Sequence, residues 1–279
     1  MAGILYVVAT PIGNLEDVTL RALRVLRDVS LVAAEDTRRT ARLLQHYSIS
    51  TPTTSLHEHN EREKAPKLVD RLLAGESIAL VSDAGTPVVS DPGATLIAAA
   101  RAAGVRVEAI PGPSAVMAAL SSSGLDTREF MFVGFPPNRS NDRRKWLVDI
   151  GSESRLVIFF EAPHRVLGTL TDIADVLGKD TLVGVARELT KAHEEFVIRP
   201  ITELLKHFSE ARGEFTILLP PRTIPTVEVK PPEPAAVALE LGELTKNGGL
   251  KRREALKVLA DRYGIGVNAL YKLLGDAGS

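Results

Sequence analysis

The sequence predicts an α/β protein: two α/β domains in series, followed by a small helical module. Three observations predict it. Over residues 1–126 short apolar runs alternate with stretches of helical spacing, the pattern of successive βαβ units around a largely parallel sheet. Near Asp126-Thr127-Arg128 a second set of apolar runs begins and continues to residue 221. Six prolines then fall within residues 220–234, among few large apolar residues, as in a semi-rigid tether. The expected divisions are an N-terminal α/β domain at 1–126, a second α/β domain at 127–221, a proline-rich linker at 222–236 and a basic module at 237–279.

In the first domain residues 4–9 read as a short strand, and 18–29 as a helix with Val18, Ala22, Val25, Leu26 and Val29 on one face. Arg21, Arg24 and Arg27 recur on its other face as a solvated stripe. A strand follows at 31–34, a helix at 38–47, and a helix at 67–74 that Gly75 ends. A buried strand at 78–81, an alanine-rich helix at 95–103 closed by Gly104, a strand at 105–110 and a tightly packed helix at 114–120 complete the series. In the second domain the strand candidates are 130–133, 156–160, 182–186 and 215–219, with helices at 146–150, 166–177 and 201–208. Their order in a sheet does not follow from spacing. In the tail a helix at 252–263, a turn at Gly264-Ile265-Gly266 and a helix at 267–274 fit either a helix-turn-helix-like nucleic-acid module or a capping or dimerising pair.

Function is written most clearly in three turns, each placed where a predicted strand ends: Thr10-Pro11-Ile12-Gly13-Asn14, Ser82-Asp83-Ala84-Gly85-Thr86-Pro87 and Pro111-Gly112-Pro113-Ser114-Ala115. In open α/β sheets ligands sit outside the carboxyl ends of the strands. Glycine lets the backbone approach a ligand, and proline fixes its path. One small-molecule site built from distant parts of the chain is therefore expected, held largely by backbone groups, with Asp83 able to oppose a bound cation.

Other classes fall away. The 279-residue chain has no cysteine, which excludes disulfides, thiolate zinc sites and a cysteine nucleophile. The turns lack G-x-G-x-x-G, G-x-x-x-x-G-K-[ST] and G-x-S-x-G, which argues against dinucleotide binding, nucleotide hydrolysis and a serine-hydrolase elbow. His57-Glu58-His59-Asn60-Glu61 is not H-E-x-x-H, and no metal is expected there. No apolar run approaches the roughly 20 residues of a membrane helix, and the first strand carries no basic leader, so a cytoplasmic protein without membrane contact is expected. A net charge of −1 conceals two basic clusters: Arg139 with Arg143-Arg144-Lys145, and the tail with Lys246, Lys251, Arg252, Arg253 and Lys257. They fit a polyanionic partner or, read plainly, solvated helix faces.

The runs ATPIGNLEDVTLRAL, AEDTR, SDAGTPVVSDPG, IPGPSA, EAPHR and VARELTK, in this order between residues 4 and 219, carry a specific resemblance. The chain resembles the tetrapyrrole-methylase superfamily, and within it the branch that methylates a cytidine 2′-hydroxyl in the decoding region of small-subunit ribosomal RNA. The resemblance implies S-adenosylmethionine (SAM) bound in a cleft between the two α/β domains, a homodimer, and small-subunit rRNA or the small ribosomal subunit as partner. Matched onto this sequence it places Pro11, Gly13, Asp83, Gly85, Thr86, Ser114 and Ala115 against the cofactor, with Ala162, Leu189 and Thr216 at the adenosyl end. A methyltransferase of the same fold acting on a tetrapyrrole is the alternative. Its relatives have a more glycine-rich first turn, and a basic tail would serve it little.

A sulfonium is already an activated methyl donor, so the protein mainly aligns donor and hydroxyl, and a base or an electrostatic prop for the developing oxyanion helps. Glu161-Ala162-Pro163-His164-Arg165 and Arg187-Glu188-Leu189-Thr190-Lys191 lie at strand ends and supply the candidates. They are Glu161 or Lys191 for proton handling and Arg187 for orienting RNA, with loop salt bridges as the plain reading. Arg38, at the end of the second strand, is a candidate for RNA phosphate, with helix capping by Asp36 or Thr37 as the alternative. Arg143, Arg144, Lys145, Lys251, Arg252 and Arg253 complete the expected RNA surface.

Overall fold

Short segments build the first sheet, apolar and buried on both faces toward its centre. The computed structural model describes residues 2–210, 212–221, 234–246, 249–263 and 266–275. Strands β1 (Ile4–Val8), β2 (Leu31–Ala34), β3 (Thr53–Ser55), β4 (Ile78–Val81) and β5 (Arg106–Ile110) pair in parallel in the order β3-β2-β4-β1-β5. Every residue of β2 and β4 is buried, as expected where helices cover both faces of a parallel sheet. Helices α1 (Leu20–Asp28) and α2 (Thr37–His46) cover one face, with Ala22, Leu26, Leu43 and Leu44 against Val8, Val32 and Ala79. Helices α3 (Glu61–Leu73) and α4 (Ala94–Ala102) cover the other, with Leu68, Leu72 and Leu96 against Leu5, Ile78 and Leu80.

Helix α5 (Ala115–Ser122) leads into a second five-stranded sheet. It contains β6 (Phe130–Phe132), β7 (Leu156–Glu161), β8 (Leu182–Arg187), β9 (Glu195–Pro200) and β10 (Phe215–Leu219), in the order β6-β7-β10-β8-β9. β6 and β7 run parallel, while β7–β10, β10–β8 and β8–β9 are antiparallel. Helices α6 (Ser140–Gly151), α7 (Val166–Leu177) and α8 (Ile201–His207) pack on one face through Leu147, Leu170, Ile173 and Leu204. On the opposite face Val116, Ala119 and Leu120 of α5 meet Ile158, Ala186 and Leu218.

The structure adds β3 and β9 to the expected strands and starts two helices earlier. Pro66 lies inside α3, where its missing N–H removes one helical hydrogen bond. Burial of Ala65 and Leu68 and a 3.0 Å hydrogen bond from the Leu96 amide to the buried Glu61 carboxylate hold the extra turns. Helix α6 begins at Ser140 because its first turn is tied to α7 by ion pairs rather than by apolar contacts.

The chain separates into two compact units, Met1–Arg222 and Thr223–Ser279. Within the second, α9 (Pro234–Lys246), α10 (Arg252–Tyr263) and α11 (Val267–Gly275) share a core of Val237, Leu241, Ala255, Leu256, Leu259 and Leu270. The expected helix pair is thus joined by a third helix, α9, which takes up the last residues of the expected linker. Residues 222–233 of that linker, and Gly264 and Ile265 of the expected turn, lie outside the described residues.

Candidate active site

Parallel pairing brings the carboxyl ends of β1, β2, β4 and β5 to one edge of the first sheet, and the three glycine-proline turns meet there. Thr10 and Gly85 exchange two backbone hydrogen bonds of 2.9 Å, and the Thr10 hydroxyl donates to the Ser82 carbonyl at 3.2 Å. Gly85 has φ +80°, a conformation glycine adopts freely. The Thr86 hydroxyl donates to the Pro113 carbonyl at 3.2 Å, which ties the second turn to the third. The first turn also meets the loop after β8, where the Asn14 amide donates to the Thr190 hydroxyl at 3.1 Å.

Two contiguous cavities open between these turns and the second sheet. One, of about 370 Å³, is lined by Asp83, Gly85, Thr86, Ser114 and Ala115 from the first sheet's side and by Ala162, Leu189 and Thr216 from the second. The other, of about 410 Å³, is lined by Pro11, Gly13, Asp83, Arg39, Arg42 and Lys191, among others. Ile12, Arg39, Asp83, Ala84 and Glu214 belong to both walls. Two loops facing the 370 Å³ cavity carry backbone strain: Val88 and Ser90 flank Val89, and Glu188 and Thr190 flank Leu189, all four flanking residues at positive φ. A β-branched residue such as Val88 rarely occupies that region, and such strain gathers at ligand sites.

The electrostatics of the 370 Å³ cavity are set by carboxylates. Asp83 accepts the Asp36 amide at 2.9 Å, and its own amide donates to Glu35 at 3.3 Å. Burial raises the Glu35 pKa, and the charge of Asp83 adds to that rise while the Asp83 amide opposes it. Burial pushes Asp91 up to about 6, with Glu35 and Asp83 reinforcing the shift against a hydrogen bond from Ser82. Partly desolvated acids of this kind favour a cationic occupant. The apolar remainder of the wall, including Val116, Phe135, Phe160 and Leu189, suits a flat ring.

Residues 4–205 match the family model for tetrapyrrole (corrin/porphyrin) methylases. The chain belongs to this family. It is 48% identical over 275 residues to ribosomal RNA small subunit methyltransferase I of Vibrio cholerae, covering 97% of this chain and 94% of that protein. The protein of the same name from Pseudomonas aeruginosa is 46% identical over 275 residues, covering 97% and 96%. Among solved structures, diphthine synthase superposes with a TM-score of 0.63 at 17% identity, over 78% of this chain and 90% of that one. A uroporphyrin-III C-methyl transferase from Thermus thermophilus in complex with S-adenosyl homocysteine gives 0.56 at 18% identity, over 77% and 97%. Both structures share the fold with this chain.

Within this tetrapyrrole-methylase fold the three candidates for chemistry part company. Lys191 lines the 410 Å³ cavity, and its ammonium donates to Glu188 at 2.7 Å and Glu214 at 3.2 Å. Burial lowers its pKa, but the hydrogen bond to Glu188 and the charge of Glu214 outweigh this and hold it above the ordinary lysine value. These partners hold the ammonium in its charged form. Glu161, the other candidate for proton handling, lines the 370 Å³ cavity at the end of β7. Its side chain is fully buried, accepting the Ala162 amide at 2.8 Å and the Thr169 hydroxyl at 2.5 Å, and pairing with Arg165 at 3.2 Å. Arg187 lines neither cavity and lies 3.8 Å from Glu195.

The basic residues are rearranged as well. Arg143 is corrected out of the RNA surface: it is buried and bound to Asp172 on α7, because α6 packs that face inward. Arg144 is half exposed and bridges Asp172 and Asp175, while Lys145 is exposed. Arg38 is exposed but forked onto the Asp36 carboxylate at 2.6 and 3.0 Å, and Asp36 also caps α2 through the Arg38 amide. Lys251, Arg252 and Arg253 are exposed at the start of α10. The sequence reading missed Asp91, Arg39 and Arg42. SDPG marks the turn that carries Asp91, but nothing local signals that Asp91 is desolvated.

Proposed function

We propose that this chain is a SAM-dependent methyltransferase that modifies the 2′-hydroxyl of a cytidine in the decoding region of small-subunit rRNA. The observation that carries this reading is its likeness, over nearly the whole length, to two rRNA small subunit methyltransferases. Support for the tetrapyrrole-modifying alternative comes from the family's description and from structures that share the fold at 18% identity. The 370 Å³ cavity fits SAM: acidic groups on one wall suit a sulfonium, apolar groups on the other suit adenine, and exposed backbone turns supply polar contacts. When bound there, SAM supplies a methyl group already activated toward a hydroxyl oxygen. Asp83 and Asp91 would oppose its positive charge, Ser114 and Ala115 would meet it at the third turn, and Ala162, Leu189 and Thr216 would hold the adenosyl end.

The chain's own groups would then manage the acceptor. Lys191, pinned in its charged form, stabilises negative charge growing on the ribose oxygen. Glu214 lines both cavities and is 68% exposed, so its carboxylate is placed to take the hydroxyl proton and pass it to water. The expected homodimer, the cytoplasmic setting and an RNA role for Lys251, Arg252 and Arg253 belong to the same proposal. No described helix is long and apolar enough to cross a membrane.

Asp91 gives the reading a pH signature. With a folded value of about 6 against 3.8 when unperturbed, the folded apo protein binds this proton more tightly than the unfolded chain. Its contribution to stability is therefore full below about 3.8 and is lost as the pH rises through 6. A cation in the cavity favours the ionised form, so binding expels the proton and SAM affinity is expected to rise between pH 5 and 7. Calorimetry in buffers of different ionisation enthalpy measures that release. Asp91→Asn should flatten the pH dependence; an unflattened profile would separate Asp91 from the cofactor.

Incubation with methyl-labelled SAM and either small ribosomal subunits or bare rRNA, followed by nuclease digestion and mass spectrometry, tests the reaction itself. One 2′-O-methylcytidine is expected. No label in RNA, with SAM still bound, would move the acceptor to a tetrapyrrole.

A further inference from the structure

The 410 Å³ cavity beside the cofactor cavity has its own charge character. Its walls carry Arg39, Arg42 and Lys191 against Asp83 and Glu214. Its neighbour's walls carry Glu35, Asp83, Asp91, Glu161 and Glu214 against Arg39. Charge of opposite sign is therefore favoured in the two spaces: a sulfonium in one, a phosphodiester in the other. The positive groups come from both sides of the cavity. Arg39 and Arg42 stand one turn apart on α2 and are exposed, as i, i+3 neighbours on a shared face. Lys191 stands opposite, on the loop after β8, braced by Glu188 and Glu214. Arg39 reaches Asp83 only at 3.5 Å, and Arg42 pairs with no carboxylate among the described residues.

We infer that this cavity is the acceptor subsite, taking the ribose and one flanking phosphodiester of a splayed ribonucleotide, with Arg42 and Arg39 on the phosphate and Lys191 toward the sugar. The assignment rests on the rRNA-methyltransferase reading above and adds residues to it. A volume of about 410 Å³ falls in the range of single small-molecule sites. RNA enzymes and readers reach a base or ribose by turning one nucleotide out of its stack. The common wall of Ile12, Asp83, Ala84 and Glu214 sets such a nucleotide directly beside the cofactor cavity. Planar guanidinium groups meet phosphate oxygens in pairs, which fixes the sugar's orientation as well as adding affinity.

Arg42 separates this role from cofactor binding, because it lines the acceptor cavity alone whereas Arg39 lines both. The test is Arg42→Glu beside Arg101→Glu, a reversal at an exposed position on α4 outside both cavities. Methylation of small ribosomal subunits or bare rRNA is followed with SAM affinity measured by calorimetry on the same preparations. Arg42→Glu should raise KM for RNA roughly ten- to a hundredfold, the loss of one charge-assisted contact, with SAM affinity unchanged. Its salt dependence of RNA binding should flatten by about 0.7 in slope, as for one phosphate contact on a single strand. Arg101→Glu should move neither. Equal KM in Arg42→Glu and wild type would overturn the subsite and leave the rRNA reading standing. A wild-type protein that binds SAM and methylates no RNA would overturn the reading, and this assignment with it.

Discussion

Replacing Gly13 by alanine is expected to lower kcat/KM for RNA methylation about a hundredfold, the loss that a displacement of roughly 1 Å at a reacting site produces. The reason is steric and local. A Cβ at this position would stand 2.5 Å from Lys191 Cγ, 2.8 Å from Thr190 Oγ1 and 3.0 Å from the Leu189 carbonyl oxygen. The lysine stem can swing aside, but the carbonyl is backbone. The loop that carries it is held by the Asn14 amide on Thr190 and by Glu194, which accepts the Thr190 amide at 2.5 Å. Relief must push the loop after β8 away from the first turn, shifting Lys191 in one cavity and Leu189 in the other. Overpacking of this kind costs about 1–3 kcal/mol, which lowers Tm by several degrees without unfolding the chain at ordinary temperature. Steady-state kinetics with thermal unfolding on the same sample checks it. Wild-type kcat/KM in the alanine variant would show that the contact between first turn and loop has no part in the chemistry.

That contact shows how much of the site was legible in the sequence and how much was not. Glycine and proline punctuate the chain at Pro11, Gly13, Gly85 and Pro111, and parallel pairing makes every such turn converge on one edge, so the ligand side could be read from local signals. The second sheet could not be ordered, because β10 lies between β7 and β8 through pairings that no spacing encodes. β3 is three residues of threonine and serine and carries no apolar signature, while β9 has only the short run Phe196-Val197-Ile198 between charged residues and is half buried. Arg143-Arg144-Lys145 looks uniformly basic in sequence, yet Arg143 points at Asp172, 29 residues away, and is neutralised there. Glu161 ends an apolar strand at the cavity wall, but the partners that hold its carboxylate, Thr169 and its own loop, are not marked by spacing. Asp91 is the converse. It is an ordinary loop aspartate by composition, and only burial beside Glu35 and Asp83 makes it titrate near 6.

Asp83→Asn is the second large effect expected, a roughly ten- to hundredfold loss of SAM affinity, the range for removing one charged hydrogen-bonding partner. Asparagine retains an oxygen that can accept the Asp36 amide, now at 2.9 Å from Asp83, so the β2 and β4 turns keep their tie while the charge is lost. Alanine would remove both, which makes asparagine the sharper test of cation recognition. The same substitution should act at a distance on the titration of the cavity. Asp83 contributes to the raised pKa of both Glu35 and Asp91, so without its charge both ionise more readily. The pH midpoint of SAM binding should therefore fall below its wild-type position near 6 even as the affinity drops. A loss of affinity with an unmoved midpoint would place Asp83 against the ligand but uncouple it from Asp91. Unchanged affinity would remove the carboxylate from recognition altogether and leave the backbone of the three turns to hold the cofactor. Together the two readouts decide whether the sulfonium is recognised by charge or by shape.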